Sequence, residues 1–117
     1  MINVNLPLRP IPVNSAYRAI PRGNFCATIK SAKYRQFEKD ALALLPKEKM
    51  IGGEVEVTLE FHLKARYSVT DIDNLLKSTL DVLETAGYYE NDNKIISLNC
   101  TKYKADEDLI KIIITEA

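Results

Sequence analysis

Residues 54–63 alternate between apolar and polar side chains along their whole length. The apolar members are Val55, Val57, Leu59, Phe61 and Leu63. Successive side chains of a β-strand point to opposite faces of the sheet, so the pattern predicts a strand with one buried and one wet face. The lone histidine, His62, falls on the wet face and is interpreted as a surface residue.

The other patterns predict two helices and three further strands. Strands are expected at 2–6, 94–103 and 108–116, with residues 105–107 as a hairpin turn between the last two. Helices are expected at 29–45, with Thr28 as N-cap and Pro46 as terminator, and at 71–86, with Gly87 as a left-handed C-terminal cap. Residues 7–28 are rich in turn formers and predict a long loop with a small hairpin around residues 21–24.

This order of elements favours a single α+β (mixed α/β) domain over residues 1–117. Two helices packed on one mixed or mostly antiparallel sheet of about four strands is the economical arrangement. A chain of 117 residues is long enough for one hydrophobic core.

Composition indicates a cytoplasmic protein. No apolar run approaches the roughly 20 residues of a membrane helix, so no membrane partner is expected. The N-terminus lacks the basic and apolar regions of a signal peptide. The two cysteines, Cys26 and Cys100, have no metal-ligand spacing and are interpreted as small buried side chains in a reducing compartment.

Charge is unevenly distributed along a chain whose net charge is zero. Residues 1–50 hold nine basic against three acidic residues, and the remainder holds seven against thirteen. Such asymmetry is compatible with a polyanion-binding half and equally with a solvated mixed surface. The candidate DNA contacts are Arg9, Arg18, Arg22, Lys30, Lys33 and Arg66.

The segment from Thr70 to Lys77 contains two aspartates at the start of a predicted helix. One explanation is structural. Acids in the first turn complement the helix dipole, Thr70 and Asp73 resemble a capping box, and Asp73 could pair with Lys77.

The alternative is a metal site. Residues i and i+2 of a helix point roughly 200° apart, so Asp71 and Asp73 converge only if Asp71 lies at or before the cap. The turn after Gly87 could bring in Asp92 as a third oxygen donor. Mg²⁺ takes several oxygen ligands, and Lys77, one turn from Asp73, could bind a scissile phosphate.

Other motifs are absent. The segment lacks the oxygen donor, glycine and glutamate that an EF-hand loop needs at its fifth, sixth and twelfth positions. No phosphate-binding glycine loop, zinc pattern or serine elbow occurs, and no small-molecule cofactor is expected.

These residues resemble the RusA family of Holliday junction resolvases. Residues 71–77 match its D-x-D-N-x-x-K signature. The match continues through Asp81, through Ala86-Gly87 followed by two tyrosines, and through Asn91-Asp92. Residues 12–17 resemble the family's N-terminal P-x-N-x-x-Y element, so the resemblance spans nearly the whole chain. The segment before Asp71 has fewer arginines than in many members, because only Lys64 and Arg66 are basic in residues 64–70.

The resemblance implies a homodimeric, Mg²⁺-dependent endonuclease that nicks four-way DNA junctions symmetrically during recombination and repair, with Mn²⁺ as a substitute ion. It places Asp71, Asp73 and Asp92 at the metal and Lys77 at the catalytic lysine. The alternatives are a junction- or fork-binding protein without catalysis and a related nuclease for flaps or other branched DNA. The sequence leaves open whether the host is a bacterium or a phage.

Overall fold

The structure is a computed structural model that describes residues 1–22 and 25–117. For residues 14, 16–18, 20–22 and 25–28 only the backbone is described. The elements in chain order are β1 (Ile2–Leu6), α1 (Val13–Ala16), β2 (Tyr17–Arg22), β3 (Phe25–Lys30), α2 (Ala32–Leu44), β4 (Val55–Leu63), α3 (Asp73–Thr85), β5 (Ile95–Lys104) and β6 (Leu109–Glu116). Two 3-10 turns, Tyr67–Val69 and Asp92–Lys94, precede α3 and β5 respectively.

The main sheet has four strands in the order β1-β6-β4-β5. β6 pairs antiparallel with both β1 and β4, whereas β5 pairs parallel with β4. The predicted class, a small α+β fold with two main helices and a mixed sheet of four strands, is therefore confirmed.

The core lies between one face of this sheet and the two long helices. The five apolar residues of β4 are all at most 1% exposed, and they alternate with more exposed residues as the sequence predicted. β1 and β6 contribute Leu6, Ile110, Ile112 and Ile114 to the same cluster. The opposite face carries polar side chains such as Asn3, Thr58 and Glu60, so the helices cover one face only.

Helix α2 begins three residues later than predicted. Its N-cap is Ser31, whose hydroxyl oxygen accepts a hydrogen bond of 3.1 Å from the backbone N–H of Tyr34. Thr28 is not the cap, because it pairs with Ala19 in the antiparallel hairpin. The helix buries Tyr34, Phe37 and Ala41 against the core, whereas Leu44, its last residue, is 50% exposed.

Helix α3 ends close to its predicted position. Gly87 has a φ of 81°, in the left-handed region that glycine adopts without steric cost. Within residues 1–22 and 25–117, no helix is both long and apolar enough to cross a membrane.

The predicted hairpin between the last two strands is wrong. β5 and β6 are antiparallel to each other, but β4 lies between them and pairs with both. Residues 105–107 therefore connect strands on either side of β4. This placement makes the most apolar alternating strand an interior strand and leaves β5 at an edge, where Ile96 is 54% and Leu98 40% exposed.

The segment predicted as a long loop is more regular than expected. It contains the short helix α1, and β2 and β3 form a two-stranded hairpin from Tyr17 to Lys30. A hairpin around residues 21–24 was predicted, but its extent was underestimated. Its tip, residues 23–24, lies outside the described residues.

Candidate active site

Asp71 and Asp73 lie at the junction between a surface loop and α3. The helix begins at Asp73, and Ile72 is its N-cap. Asp71 precedes the helix and follows Thr70, whose backbone is extended. Asp71 therefore lies outside the helix proper, which is the position that the metal-site alternative requires, and the helix begins two residues later than expected. Both aspartates are exposed, so their oxygens are accessible from solvent.

The predicted capping box is wrong. No side chain caps the N-terminus of α3. The Thr70 hydroxyl instead donates a hydrogen bond of 2.6 Å to the Arg66 carbonyl oxygen. Arg66 has a φ of 57°, a left-handed conformation that is uncommon outside glycine, and the hydrogen bond closes the turn that this residue begins. The side chain of Thr70 thus stabilises the loop before Asp71, not the helix after it.

Strand β5 and the N-terminal segment anchor this loop. The Lys102 ammonium donates hydrogen bonds of 2.7 Å to the Tyr67 carbonyl oxygen and 2.9 Å to that of Thr70. It also lies 4.6 Å from the centroid of the Tyr67 ring. The Arg9 guanidinium donates to the Thr70 hydroxyl oxygen at 3.2 Å and lies 3.4 Å from Asp108. Two cations from distant elements therefore hold the backbone that immediately precedes Asp71.

Lys77 lies one turn after Asp73 on α3, and its ammonium is 3.5 Å from the Asp81 carboxylate. Asp81 also accepts a hydrogen bond of 2.5 Å from the Tyr34 hydroxyl of α2. The side chain of Lys77 is 50% exposed, so this i,i+4 pair adds only a few tenths of a kcal/mol to helix stability. The exposure leaves the ammonium accessible to a phosphate.

An acidic cluster lies at the other end of α3. Asp81, Glu84 and Asp92 each have a carboxylate oxygen within 4.8 Å of the others. The Tyr89 hydroxyl lies 2.8 Å from Asp92 Oδ1 and 2.8 Å from the Leu80 carbonyl oxygen. Burial, and then the hydrogen bond to Asp92, raise the pKa of Tyr89, so its hydroxyl stays protonated and available as a donor.

The three aspartates expected at the metal therefore occupy two places. Asp71 and Asp73 lie before and at the first residue of α3, whereas Asp92 belongs to the cluster beside its last turns. Sequence reasoning did not assign a role to Asp81 or Glu84. Their spacing after Lys77, by four and then three residues, places all three on one helix face and could have indicated it.

The predicted DNA-binding residues differ in their surroundings. Arg9 and Lys30 make internal ion pairs, Arg9 with Asp108 and Lys30 with Glu38 at 2.9 Å. Lys33 and Arg66 are exposed. Arg66 lines a shallow pocket with Asp71, together with Pro12, Val69, Thr70 and Asn74. The side chains of Arg18 and Arg22 lie outside the described part of the structure.

Comparison with known proteins identifies the family of the chain. The family model described as endodeoxyribonuclease RusA matches residues 7–115. The chain belongs to the RusA family. A crossover junction endodeoxyribonuclease RusA from Aquifex aeolicus (strain VF5) is 33% identical over 106 residues, covering 87% of this chain and 82% of that protein.

RusA membership confirms the enzyme class expected from the motif, a crossover junction endodeoxyribonuclease. Resolvase nucleases generally use divalent metal ions, and the acidic cluster of Asp81, Glu84 and Asp92 could bind one. Carboxylate oxygens are the ligands that hard cations prefer, so the donors on α3 fit a divalent ion of this kind.

Proposed function

We propose that the chain is a homodimeric, Mg²⁺-dependent endodeoxyribonuclease that resolves four-way DNA junctions by paired symmetrical nicks. Its role would be in recombination and repair, in the cytoplasm of a bacterial or phage-infected cell, with residues 1–117 forming one RusA-like domain. The observation that carries the proposal is the family match over residues 7–115, which contains every residue of the D-x-D-N-x-x-K motif and Asp92.

The local structure supports roles for the motif residues. Asp71 and Asp73 are exposed carboxylates at the start of α3, so their oxygens are accessible to a metal ion from solvent. Bound Mg²⁺ supplies activation of water and stabilisation of the departing oxygen. Lys77 would bind the scissile phosphate through its exposed ammonium.

Homodimerisation has a symmetry argument. A four-way junction has two strands to be cut that are related by two-fold symmetry, and a two-fold dimer supplies two sites in the same relation. Among the candidate DNA contacts, the exposed Lys33 and Arg66 are best placed for phosphates. Arg66 borders the same pocket as Asp71, so it would hold the backbone close to the cleaved bond.

Cleavage of a mobile four-way junction, a flap and a plain duplex, each in Mg²⁺ and in Mn²⁺, tests the substrate. We expect the junction to be cut fastest, with nicks at symmetrical positions in opposing strands. Faster cutting of the flap would identify a flap nuclease. Junction binding without cleavage in either ion would identify a binding protein.

The Asp73→Asn variant tests the metal role. Loss of one carboxylate should reduce junction cleavage by more than about tenfold, because even changes beyond the direct ligands of a metal cost about 10- to 100-fold. Asp106→Asn is a matched control, since it removes the same charge from an exposed position between β5 and β6. Cleavage by Asp73→Asn at the rate of this control would refute the assigned role.

A further inference from the structure

Lys77 has an aspartate on either side of it along α3. Asp73 lies four residues before it and Asp81 four residues after it, so both are its neighbours on the helix surface. In isolated helices the stronger pair is the one in which the acid precedes the lysine, which here is the pair with Asp73. The structure has the other pair, with the Lys77 ammonium 3.5 Å from Asp81. Helix preference alone therefore does not explain where the ammonium lies.

The pair with Asp81 keeps the ammonium away from Asp73. At about 1.5 Å per residue, the two carboxylates are separated by about 12 Å along the helix axis, since identical side chains lean in the same direction. An ammonium that is 3.5 Å from Asp81 is then about 8 Å or more from the Asp73 carboxylate. Asp73, which the proposed function assigns to the metal ion, thus lies beyond ion-pair distance of Lys77.

A buried tyrosine of the neighbouring helix fixes Asp81. Tyr34 of α2 is 0% exposed, and its hydroxyl donates a hydrogen bond of 2.5 Å to Asp81 Oδ2. The Lys77 ammonium lies 3.5 Å from the same oxygen. A surface ion pair usually contributes little, because two flexible side chains must both be ordered. Here the phenol already orders the carboxylate, so the pair has to order only the lysine.

We propose that Tyr34 and Asp81 are positioning residues for the cleavage reaction, because they hold the Lys77 ammonium away from Asp73 and in place for the scissile phosphate. This proposal rests on the nuclease function proposed above. The two residues act through Lys77 and not on the reacting atoms themselves. Without them, Lys77 can turn towards Asp73, where its charge leaves the phosphate and competes with the metal ion for the carboxylate.

The Tyr34→Phe variant tests the proposal because it removes only the hydroxyl. The ring keeps its place in the core and its contact with the Lys30 ammonium, which lies 5.1 Å from the ring centroid. In single-turnover cleavage at saturating enzyme, we expect the rate constant to fall about tenfold, since misplacement of a catalytic group by about 1 Å is costly. Junction affinity, measured without divalent ions, should change less than about twofold, because the lost interaction is made in the transition state.

Tyr88→Phe is the matched control. Tyr88 is also 0% exposed, and its hydroxyl donates a hydrogen bond of 2.6 Å to the Pro46 carbonyl oxygen, beyond the end of α2. The control therefore removes a buried hydroxyl of the same kind and should lower the unfolding midpoint comparably, but leave the cleavage rate unchanged. Equal cleavage by the two variants, at a temperature where both are folded, would overturn the proposal.

Asp81→Asn provides a second variant that does not alter the core. The side chain of Asp81 is 23% exposed, and asparagine keeps an oxygen acceptor for the Tyr34 phenol while it removes the charge that attracts Lys77. We expect cleavage to slow as much as in Tyr34→Phe, and the double variant to be no slower, because both residues act through the same ammonium. Rate losses that multiply in the double variant would contradict this shared action.

Binding of Mn²⁺, followed by electron paramagnetic resonance, gives a readout apart from cleavage. If the tyrosine and Asp81 keep Lys77 from Asp73, Tyr34→Phe should weaken Mn²⁺ binding about twofold, which corresponds to the strength of an i,i+4 ion pair. The same substitution should have no effect in a Lys77→Met chain, which has no ammonium to turn towards Asp73. An equal effect in the two chains, whether a weakening or none, would overturn the proposal.

Failure of this proposal is distinguishable from failure of the proposed function. A wild type that does not cleave junctions would overturn the nuclease function, whereas the Mn²⁺ comparison tests the position of Lys77 without DNA. A wild type that cleaves junctions, with Tyr34→Phe as fast as the Tyr88→Phe control, would overturn only the positioning role.

Discussion

Replacing Lys102 by methionine removes the ammonium that anchors the loop before Asp71 while keeping an unbranched side chain of similar length. The charged group donates two hydrogen bonds, to the carbonyl oxygens of Tyr67 and Thr70, and lies over the Tyr67 ring. Methionine can donate no hydrogen bond, so both carbonyl groups lose this donor. The substitution therefore separates the packing contribution of the side chain from its polar contribution.

The expected cost follows from these contacts. A hydrogen bond to a charged group contributes about 1.5–3 kcal/mol, but water can replace part of it at this half-buried position, and a cation–π contact adds about 0.5–1 kcal/mol. We expect the Lys102→Met variant to lose about 2 kcal/mol of unfolding free energy. With a urea dependence of about 2 kcal/mol per M, the unfolding midpoint falls by about 1 M.

Urea unfolding and Mg²⁺ titration of junction cleavage measure the two consequences. Because Asp71 follows the anchored backbone directly, the Mg²⁺ concentration for half-maximal cleavage should rise about tenfold, equivalent to about 1.4 kcal/mol. Lys104→Met is the matched control, since Lys104 is exposed and lies on the same strand two residues later. The reasoning is refuted if both variants have the same urea midpoint and the same Mg²⁺ requirement. An arginine at position 102, which keeps the charge and the donors, should recover part of the loss.

Three further substitutions test the surrounding structure. Ser31→Ala removes the acceptor for the Tyr34 N–H and should cost about 1 kcal/mol in urea unfolding; an unchanged midpoint would show that this cap is unimportant. Gly87→Ala places a side chain at a φ of 81° and should cost about 1 kcal/mol, more than Gly52→Ala, which serves as its control; equal costs would contradict the conformational explanation. The raised pKa of Tyr89 stabilises the fold fully below the ordinary tyrosine pKa of about 10 and is lost as the pH rises towards the folded-state pKa. Wild-type stability should therefore fall more steeply above about pH 10 than that of Tyr89→Phe, and parallel pH profiles would rule this out.

Local patterns in the sequence were sufficient for most individual elements. The alternation in β4 fixed which of its faces is buried, because the side-chain period of a strand is a local property. Residues i and i+2 point to different faces of a helix, so a shared metal required Asp71 to precede α3, and the structure has it there. The start of α2 was misplaced because Thr28 and Ser31 are both good N-caps, and pairing of Thr28 in the hairpin decided between them.

The arrangement of the strands depended on tertiary structure. The sequence neighbours β5 and β6 were expected to form a hairpin, yet β4 pairs with both. Strands pair through backbone hydrogen bonds, and these bonds do not depend on which side chains alternate along a strand. A local pattern therefore cannot say which strand is interior. Only the fold showed that β4, the most regularly alternating strand, is an interior strand of the sheet.

The acidic motif shows the same division between sequence and tertiary structure. The sequence by itself determined which acids are present and that Asp71 and Asp73 lie near the start of a helix, because both follow from residue type and helical periodicity. Only the tertiary structure decided that Lys102 and Arg9 hold the loop before Asp71, and that Asp92 lies with Asp81 and Glu84 at the far end of α3. Those relations join residues distant in the chain, and their distances are set by the length of α3 and the pairing of β5, which no motif spacing encodes.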